Sequence, residues 1–142
     1  MKELSKSLED TERIAGNFIS ELSGGKTAVV VGLEGDLGSG KTTFTQAVAR
    51  HLGVLETVTS PTFVIEKIYK LKDKPFNHLI HIDAYRLESG AELGRLGWRE
   101  INVDPGNLIL IEWPERVKDI LPAGMKIISF KFIDEKTREI TI

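Results

Sequence analysis

The stretch Gly35-Asp36-Leu37-Gly38-Ser39-Gly40-Lys41-Thr42 restricts what this chain can fold into more than any other part of it. It satisfies the spacing G-x-x-x-x-G-K-[ST], in which each fixed residue has a physical task. The glycines let the backbone turn its N–H groups inward. With the positive end of the helix that follows, those donors form a concave site for the β- and γ-phosphates of a nucleotide. Lys41 adds a mobile cation, and Thr42 offers a hydroxyl to a Mg²⁺ ion that bridges phosphate oxygens. At average residue frequencies the pattern arises by chance in roughly one chain of this size in several hundred, so a fortuitous match is the weaker reading. The predicted cradle runs from Gly35 to Thr43. Its candidate nucleotide-binding residues are Gly35, Asp36, Gly38, Ser39, Gly40, Lys41, Thr42 and Thr43, and Lys41 is also a candidate for the chemistry.

The flanking pattern is what such a loop requires. Thr27 to Leu33 is β-branched and continuously apolar, which predicts a strand covered on both faces. Phe44, Ala47, Val48 and Leu52 then fall on one face of a helix that Gly53 ends. Before the cradle, Leu8, Thr11, Ala15, Phe18 or Ile19, and Leu22 recur at helical spacing and stop at Gly24-Gly25. After it, Thr62 to Leu71 and Asn77 to Tyr85 alternate around Lys72-Asp73-Lys74-Pro75, predicting an antiparallel pair. A short helix is expected around Ala91 to Leu96, a buried strand at Leu108 to Glu112, a helical turn opened by Pro114, and closing strands at Lys126 to Ile133 and Arg138 to Ile142. The expectation is a single domain over residues 1–142. Its fold class is α/β, a P-loop NTPase-like three-layer arrangement with a mainly parallel central sheet, an antiparallel hairpin and short flanking helices.

Composition narrows the partners and the chemistry. A formal charge of −2 argues against holding nucleic acid by bulk electrostatics, so any RNA contact is local or shared with a partner. The absence of cysteine removes disulfides, zinc thiolates and thiol nucleophiles. No apolar run approaches the roughly 20 residues that span a bilayer, and Met1 to Ser7 does not lead into a secretory core. No membrane association and a cytoplasmic location are expected.

A phosphate loop works with a second acid near the metal, commonly at the end of a buried strand. Leu108-Ile109-Leu110-Ile111-Glu112 has that form, making Glu112 a candidate metal-side carboxylate beside Thr42. A core strand leaving into solvent carries the same residues. In Leu79-Ile80-His81-Ile82-Asp83-Ala84-Tyr85, period two puts His81, Asp83 and Tyr85 on one face, which is expected to lie outside the core. Asp83 is the leading candidate to orient or deprotonate an attacking water; a solvated strand end is the alternative. Thr59-Ser60-Pro61-Thr62-Phe63 reads either as a switch segment with Thr62 toward the γ-phosphate or as the plain start of a strand, since Pro61 favours extended backbone at Ser60. Arg86 suits a phosphate or RNA contact and equally a surface ion pair. Trp113 suits an aromatic contact surface or a core plug.

Taken together, four segments resemble the TsaE family, the ATPase of bacterial tRNA threonylcarbamoyladenosine synthesis. They are the cradle through Thr43, Ser60-Pro61-Thr62-Phe63, His81-Ile82-Asp83-Ala84-Tyr85-Arg86-Leu87, and Glu112-Trp113-Pro114-Glu115-Arg116. Only the first is generic; Ser39 replaces a frequent alanine of that family. The resemblance implies an ATP- and Mg²⁺-dependent ATPase that joins TsaB and TsaD, the latter modifying the adenosine beside the anticodon, with tRNA met indirectly through the complex. It also implies Thr42 and Glu112 on Mg²⁺, Asp83 near the reacting phosphate, and Thr11 near the adenine.

Two rivals use the same cradle. A small-molecule kinase needs an acceptor pocket and a lid, for which few residues remain once the cradle and strands are assigned. A non-hydrolysing switch binds nucleotide and changes only its docking. A GTPase is disfavoured, because no N-K-x-D segment exists to read guanine and no D-x-x-G segment follows the cradle.

Overall fold

Two strands without a solvent face organise the molecule. Residues Val29–Glu34 (β2) and Asn107–Glu112 (β5) are aliphatic at nearly every position and lie parallel, Val29 opposite Leu108 and Leu33 opposite Glu112. Such strands need cover on both sides. The computed structural model, which describes residues 1–56, 58 and 65–142, shows how the rest of the chain supplies it. A short strand β1 (Lys2–Ser5) precedes helix α1 (Leu8–Glu21); helix α2 (Lys41–His51) follows β2. Strands β3 (Glu66–Lys70) and β4 (His78–Asp83) come next, then helices α3 (Gly90–Arg95) and α4 (Trp98–Val103). After β5, a 3-10 turn at Pro114–Arg116 leads to β6 (Lys126–Asp134) and β7 (Thr137–Thr141).

All seven strands form one sheet in the order β1-β7-β6-β2-β5-β4-β3. The central four, β6, β2, β5 and β4, run parallel, while β3, β7 and β1 attach antiparallel at the two sides. Alternation then sorts side chains between two cores. Val31, Leu33, Leu79, Leu108 and Leu110 face α1 and α2 and join Phe18, Phe44 and Phe130. Val30, Ile80, Ile82, Ile109 and Ile111 face the other way and join Leu93, Trp98 and Val117. The α/β class, the parallel centre and the β3–β4 antiparallel pair agree with the sequence reading.

Four details differ. The first helix buries Thr11, Ile14, Ala15 and Phe18, whereas Leu8 is 65% exposed. Leu8 lies in the first turn, which is fixed instead by Ser7, whose Oγ accepts from the Asp10 N–H at 3.1 Å. Strand β1 was not foreseen, because Lys2–Ser5 has no apolar alternation; it is recruited as an edge by β7, Lys2 opposite Thr141. Helix α4 was also not foreseen, its pattern being a single buried Trp98. Finally, His81 was expected outside the core and is fully buried. Its strand face is covered by the α2 layer, and burial is tolerated there because the imidazole has a carboxylate partner. Among the described residues, no helix is long and apolar enough to cross a membrane.

Candidate functional site

The cradle is held from beneath. Gly35 leaves β2 at φ 156°, and a Cβ there would lie 2.5 Å from Ser39 Oγ and 2.6 Å from the Phe130 carbonyl oxygen. Only glycine fits so close to fixed backbone. One turn into α2, Phe44 is wholly buried, its ring 6.1 Å from that of Phe18 and 5.4 Å from that of Phe130. Burying such a ring contributes on the order of 2–3 kcal/mol, enough to fix where the helix begins. Above this seat opens a cavity of about 360 Å³, lined by Leu37 to Thr43 of the loop and by Ile65, Asp83, Tyr85, Arg86, Glu112 and Trp113.

It lies beyond the carboxyl ends of the parallel strands. The β2 to β3 connection passes over one face of the sheet through α2, and the β4 to β5 connection passes over the other through α3 and α4. Crevices where connections part in this way are the usual ligand sites of open α/β sheets.

Lys41 is 5% exposed. Its ammonium donates to the carbonyls of Gly35 and, at 3.3 Å, Asp36, and lies 4.0 Å from the centre of the Trp113 ring. Burial lowers its pKa from the ordinary 10.5, while Glu112, Glu115, Asp83 and Asp36 oppose that shift. Trp113 adopts φ 59°, a left-handed backbone that non-glycine residues seldom take. That turn brings the indole over the lysine, and Tyr85 packs against it at 5.0 Å between ring centres.

Strand parity brings the acids together. Glu112 on β5 and His81 on β4 share the α2 face, and His81 Nε2 donates to Glu112 Oε2 at 2.6 Å. Thr42 Oγ1 donates to the same oxygen at 3.4 Å, although the two residues are 70 positions apart. Asp83, opposite Glu112 in the register, is partly exposed, and its Oδ1 accepts from the Tyr85 N–H at 3.0 Å.

The donor set fits a nucleotide with Mg²⁺. A hydroxyl and one carboxylate form a hard oxygen pair, the kind of minimal protein contribution Mg²⁺ takes when phosphates and water complete its shell. No group of three or more His, Asp or Glu able to hold a metal exists among the described residues. Ser39 Oγ is buried with no partner among the described residues, beside the amides that would face the phosphates.

The sequence candidates divide as follows. Gly38, Ser39, Gly40, Lys41, Thr42, Thr43, Asp83 and Glu112 meet around one cavity. Gly35 and Asp36 do not line it; they give their carbonyls to Lys41 instead. Thr11 does not line it either, and its hydroxyl is engaged with Ser5 Oγ at 2.6 Å, a placement that lends no support to an adenine contact. The segment Thr59 to Phe63, with Thr62, lies outside the described residues. Sequence reasoning missed the His81–Glu112 pair and the arginine described below. The first was reachable from strand parity alone once β4 and β5 were placed side by side.

A family whose description reads Threonylcarbamoyl adenosine biosynthesis protein TsaE matches residues 5–140. Similar proteins carry the name tRNA threonylcarbamoyladenosine biosynthesis protein TsaE. The one from Treponema pallidum is 36% identical over 145 residues, covering 100% of this chain and 99% of its own. That of Bacillus subtilis is 41% identical over 116 residues, covering 82% of this chain and 70% of its own. Among solved structures, the crystal structure of Bacillus subtilis YdiB has a TM-score of 0.77 and 32% identity, covering 99% of this chain and 82% of that one.

Proposed function

Because the chain belongs to the TsaE family of threonylcarbamoyl adenosine biosynthesis proteins, we propose that it is the Mg²⁺-dependent ATPase subunit required for threonylcarbamoyladenosine modification of tRNA next to the anticodon, acting with TsaB and TsaD. The observation that carries this reading is the meeting of Lys41, Thr42, Glu112 and Asp83 around one cavity at the mouth of a glycine-rich loop.

Each residue has work it can do there. The amides of Gly38 to Thr43 and the start of α2 supply donors to the β- and γ-phosphates. Lys41 exchanges the loop carbonyls for phosphate oxygens, a trade favoured because its ammonium is held in poorly hydrated surroundings. Thr42 and Glu112 would hold Mg²⁺, which when bound offsets the charge that develops on the phosphate oxygens. Asp83 orients the attacking water and accepts its proton. Specificity for the tRNA resides in the partners, in keeping with a net charge of −2. This role places the protein in the cytoplasm.

The test is to incubate the purified protein with ATP and Mg²⁺, alone and with TsaB and TsaD, and to follow phosphate release and threonylcarbamoyladenosine formation. Phosphate release stimulated by the partners supports the proposal. Transfer to a small-molecule acceptor, or nucleotide binding with no turnover under any condition, removes it.

A further inference from the structure

On the outer side of the cradle lies a cation that the proposed chemistry does not use. Arg138, on β7, reaches back to the loop, and its Nε donates to the Gly38 carbonyl at 3.1 Å. Its Nη1 donates to two carbonyls of its own hairpin, Asp134 at 2.6 Å and Thr137 at 3.1 Å. The guanidinium is centred 4.6 Å from the Phe132 ring, and the side-chain stem lies 3.5 Å from where a Cβ on Gly40 would be. One side chain thus joins the tip of the phosphate loop to the turn between β6 and β7, across 100 positions of sequence.

We propose that Arg138 is a positioning residue for nucleotide binding, holding the Gly38 carbonyl outward so that the loop's amides stay directed into the cavity. The physical need is specific. Gly38 is exposed and has φ 77°, and the peptide that follows it is held at both ends, its Ser39 N–H donating to the Asp36 carbonyl at 3.1 Å and its Gly38 carbonyl accepting from Arg138. Without the Arg138 bond the tip of the loop is held by the Asp36 turn alone, and the amides that follow it are less firmly aimed into the cavity. The guanidinium selects the productive orientation before any ligand arrives. It is suited to this because its planar fork spans the loop and the hairpin turn at once, which a point ammonium does not. Phe132, packed against the guanidinium, and the two turn carbonyls fix the arginine itself.

Removing Arg138 lowers the fraction of molecules whose loop is ready to bind, and apparent affinity falls by that fraction. The complex, once formed, is unchanged. Affinity therefore suffers and the rate at saturation does not. A contribution to bond making would move the rate, and a general loss of stability would move both.

The inference rests on the phosphate-binding reading of the loop, and the experiment separates the two. Dissociation constants for ATP and ADP, KM, and kcat are measured for the wild type, Arg138→Ala, Arg138→Lys and, as a control on the same strand, Glu139→Ala. Amide hydrogen exchange of residues 35–40 is followed without nucleotide. Arg138→Ala is expected to raise both dissociation constants and KM roughly tenfold with kcat within about twofold, the scale of losing one charge-assisted hydrogen bond. Its loop amides exchange faster. Arg138→Lys, which preserves charge and most packing should the alanine variant fold poorly, is expected to show most of the same loss.

Wild-type affinity in Arg138→Ala overturns the inference. So does full recovery in Arg138→Lys, which would assign the effect to charge, and so does an equal loss in Glu139→Ala, which would assign it to the hairpin's stability. A wild-type protein that binds no nucleotide, yet whose loop exchanges faster once Arg138 is removed, overturns the proposed function and leaves the pinning of the loop standing.

Discussion

His81 Nε2 donates to Glu112 Oε2 at 2.6 Å, and both side chains are withdrawn from solvent. Glu112 is thereby fixed before any metal is present, its carboxylate also accepting from Thr42. A buried acid that loses its partner bears the full cost of desolvation, which exceeds the net worth of the pair. His81→Ala is therefore expected to destabilise the fold by about 3 kcal/mol, read from urea unfolding. Glu112→Gln keeps an acceptor for both donors and should change stability by less than about 1 kcal/mol. It should nevertheless abolish the turnover that Mg²⁺ supports. Equal stability losses in the two variants would show that the pair does not carry the buried charge as described.

Lys41 separates binding from folding. In the free protein its ammonium is engaged by Gly35 and Asp36 and covered by Trp113, at the expense of hydration. Lys41→Ala is expected to alter the free protein's stability by no more than about 1 kcal/mol, because lost hydrogen bonds are offset by relief of a buried charge. Tight ATP binding should disappear, seen as loss of calorimetric heat and of the ATP-induced rise in Tm. Retention of that rise would show that the amides suffice without the cation.

Asp83 is best tested with asparagine. Asp83 Oδ1 accepts from the Tyr85 N–H, a bond that an amide oxygen preserves, so the strand end keeps its shape. ATP affinity should stay within about threefold of wild type, while turnover falls by about 10²- to 10⁴-fold, the usual contribution of a positioned base. Unchanged phosphate release from Asp83→Asn would exclude this carboxylate from the reaction.

What the sequence disclosed followed physical range. The cradle, the strand before it and the helix after it are local, and their pattern is dictated by glycine sterics, apolar continuity and helical period; all were legible. Asp83 and Glu112 were identifiable as acids at strand ends, but their shared face and their neighbours depend on β4 lying beside β5, which no local pattern states. The burial of His81 was misread for the same reason, since period two assigns a face without saying what covers it. Arg138 gave no signal at all, because its contact with Gly38 arises only from the order of strands in the sheet.

Gly35 tests the rigidity of the cradle. An added methyl group would meet the Phe130 carbonyl oxygen at 2.6 Å, and backbone cannot yield as a side-chain end can. Gly35→Ala is expected to cost about 2–3 kcal/mol through this overlap and the unfavourable φ. It should also weaken ATP binding, because the amides after it shift with it. A variant with unaltered unfolding and affinity would show that the loop adapts more freely than its seat on Phe130 suggests.

Glu66, at the start of the sheet's outer strand β3, gives a prediction about pH. Its Oε1 is buried with no hydrogen-bond partner among the described residues, and burial raises its pKa above the ordinary 4.5. The folded state thus holds the proton more tightly than the unfolded chain does. The contribution of Glu66 to stability is fully present below about pH 4.5 and is lost as pH rises through the raised value. Glu66→Gln mimics the protonated form at every pH. The variant should match wild type near pH 4 and exceed it near pH 7 by a few tenths to about 1 kcal/mol, the modest size reflecting a side chain only partly withdrawn from water. Urea unfolding at the two pH values decides it. Curves for variant and wild type that stay equally spaced from acid to neutral pH would mean that burial does not penalise the charge of Glu66.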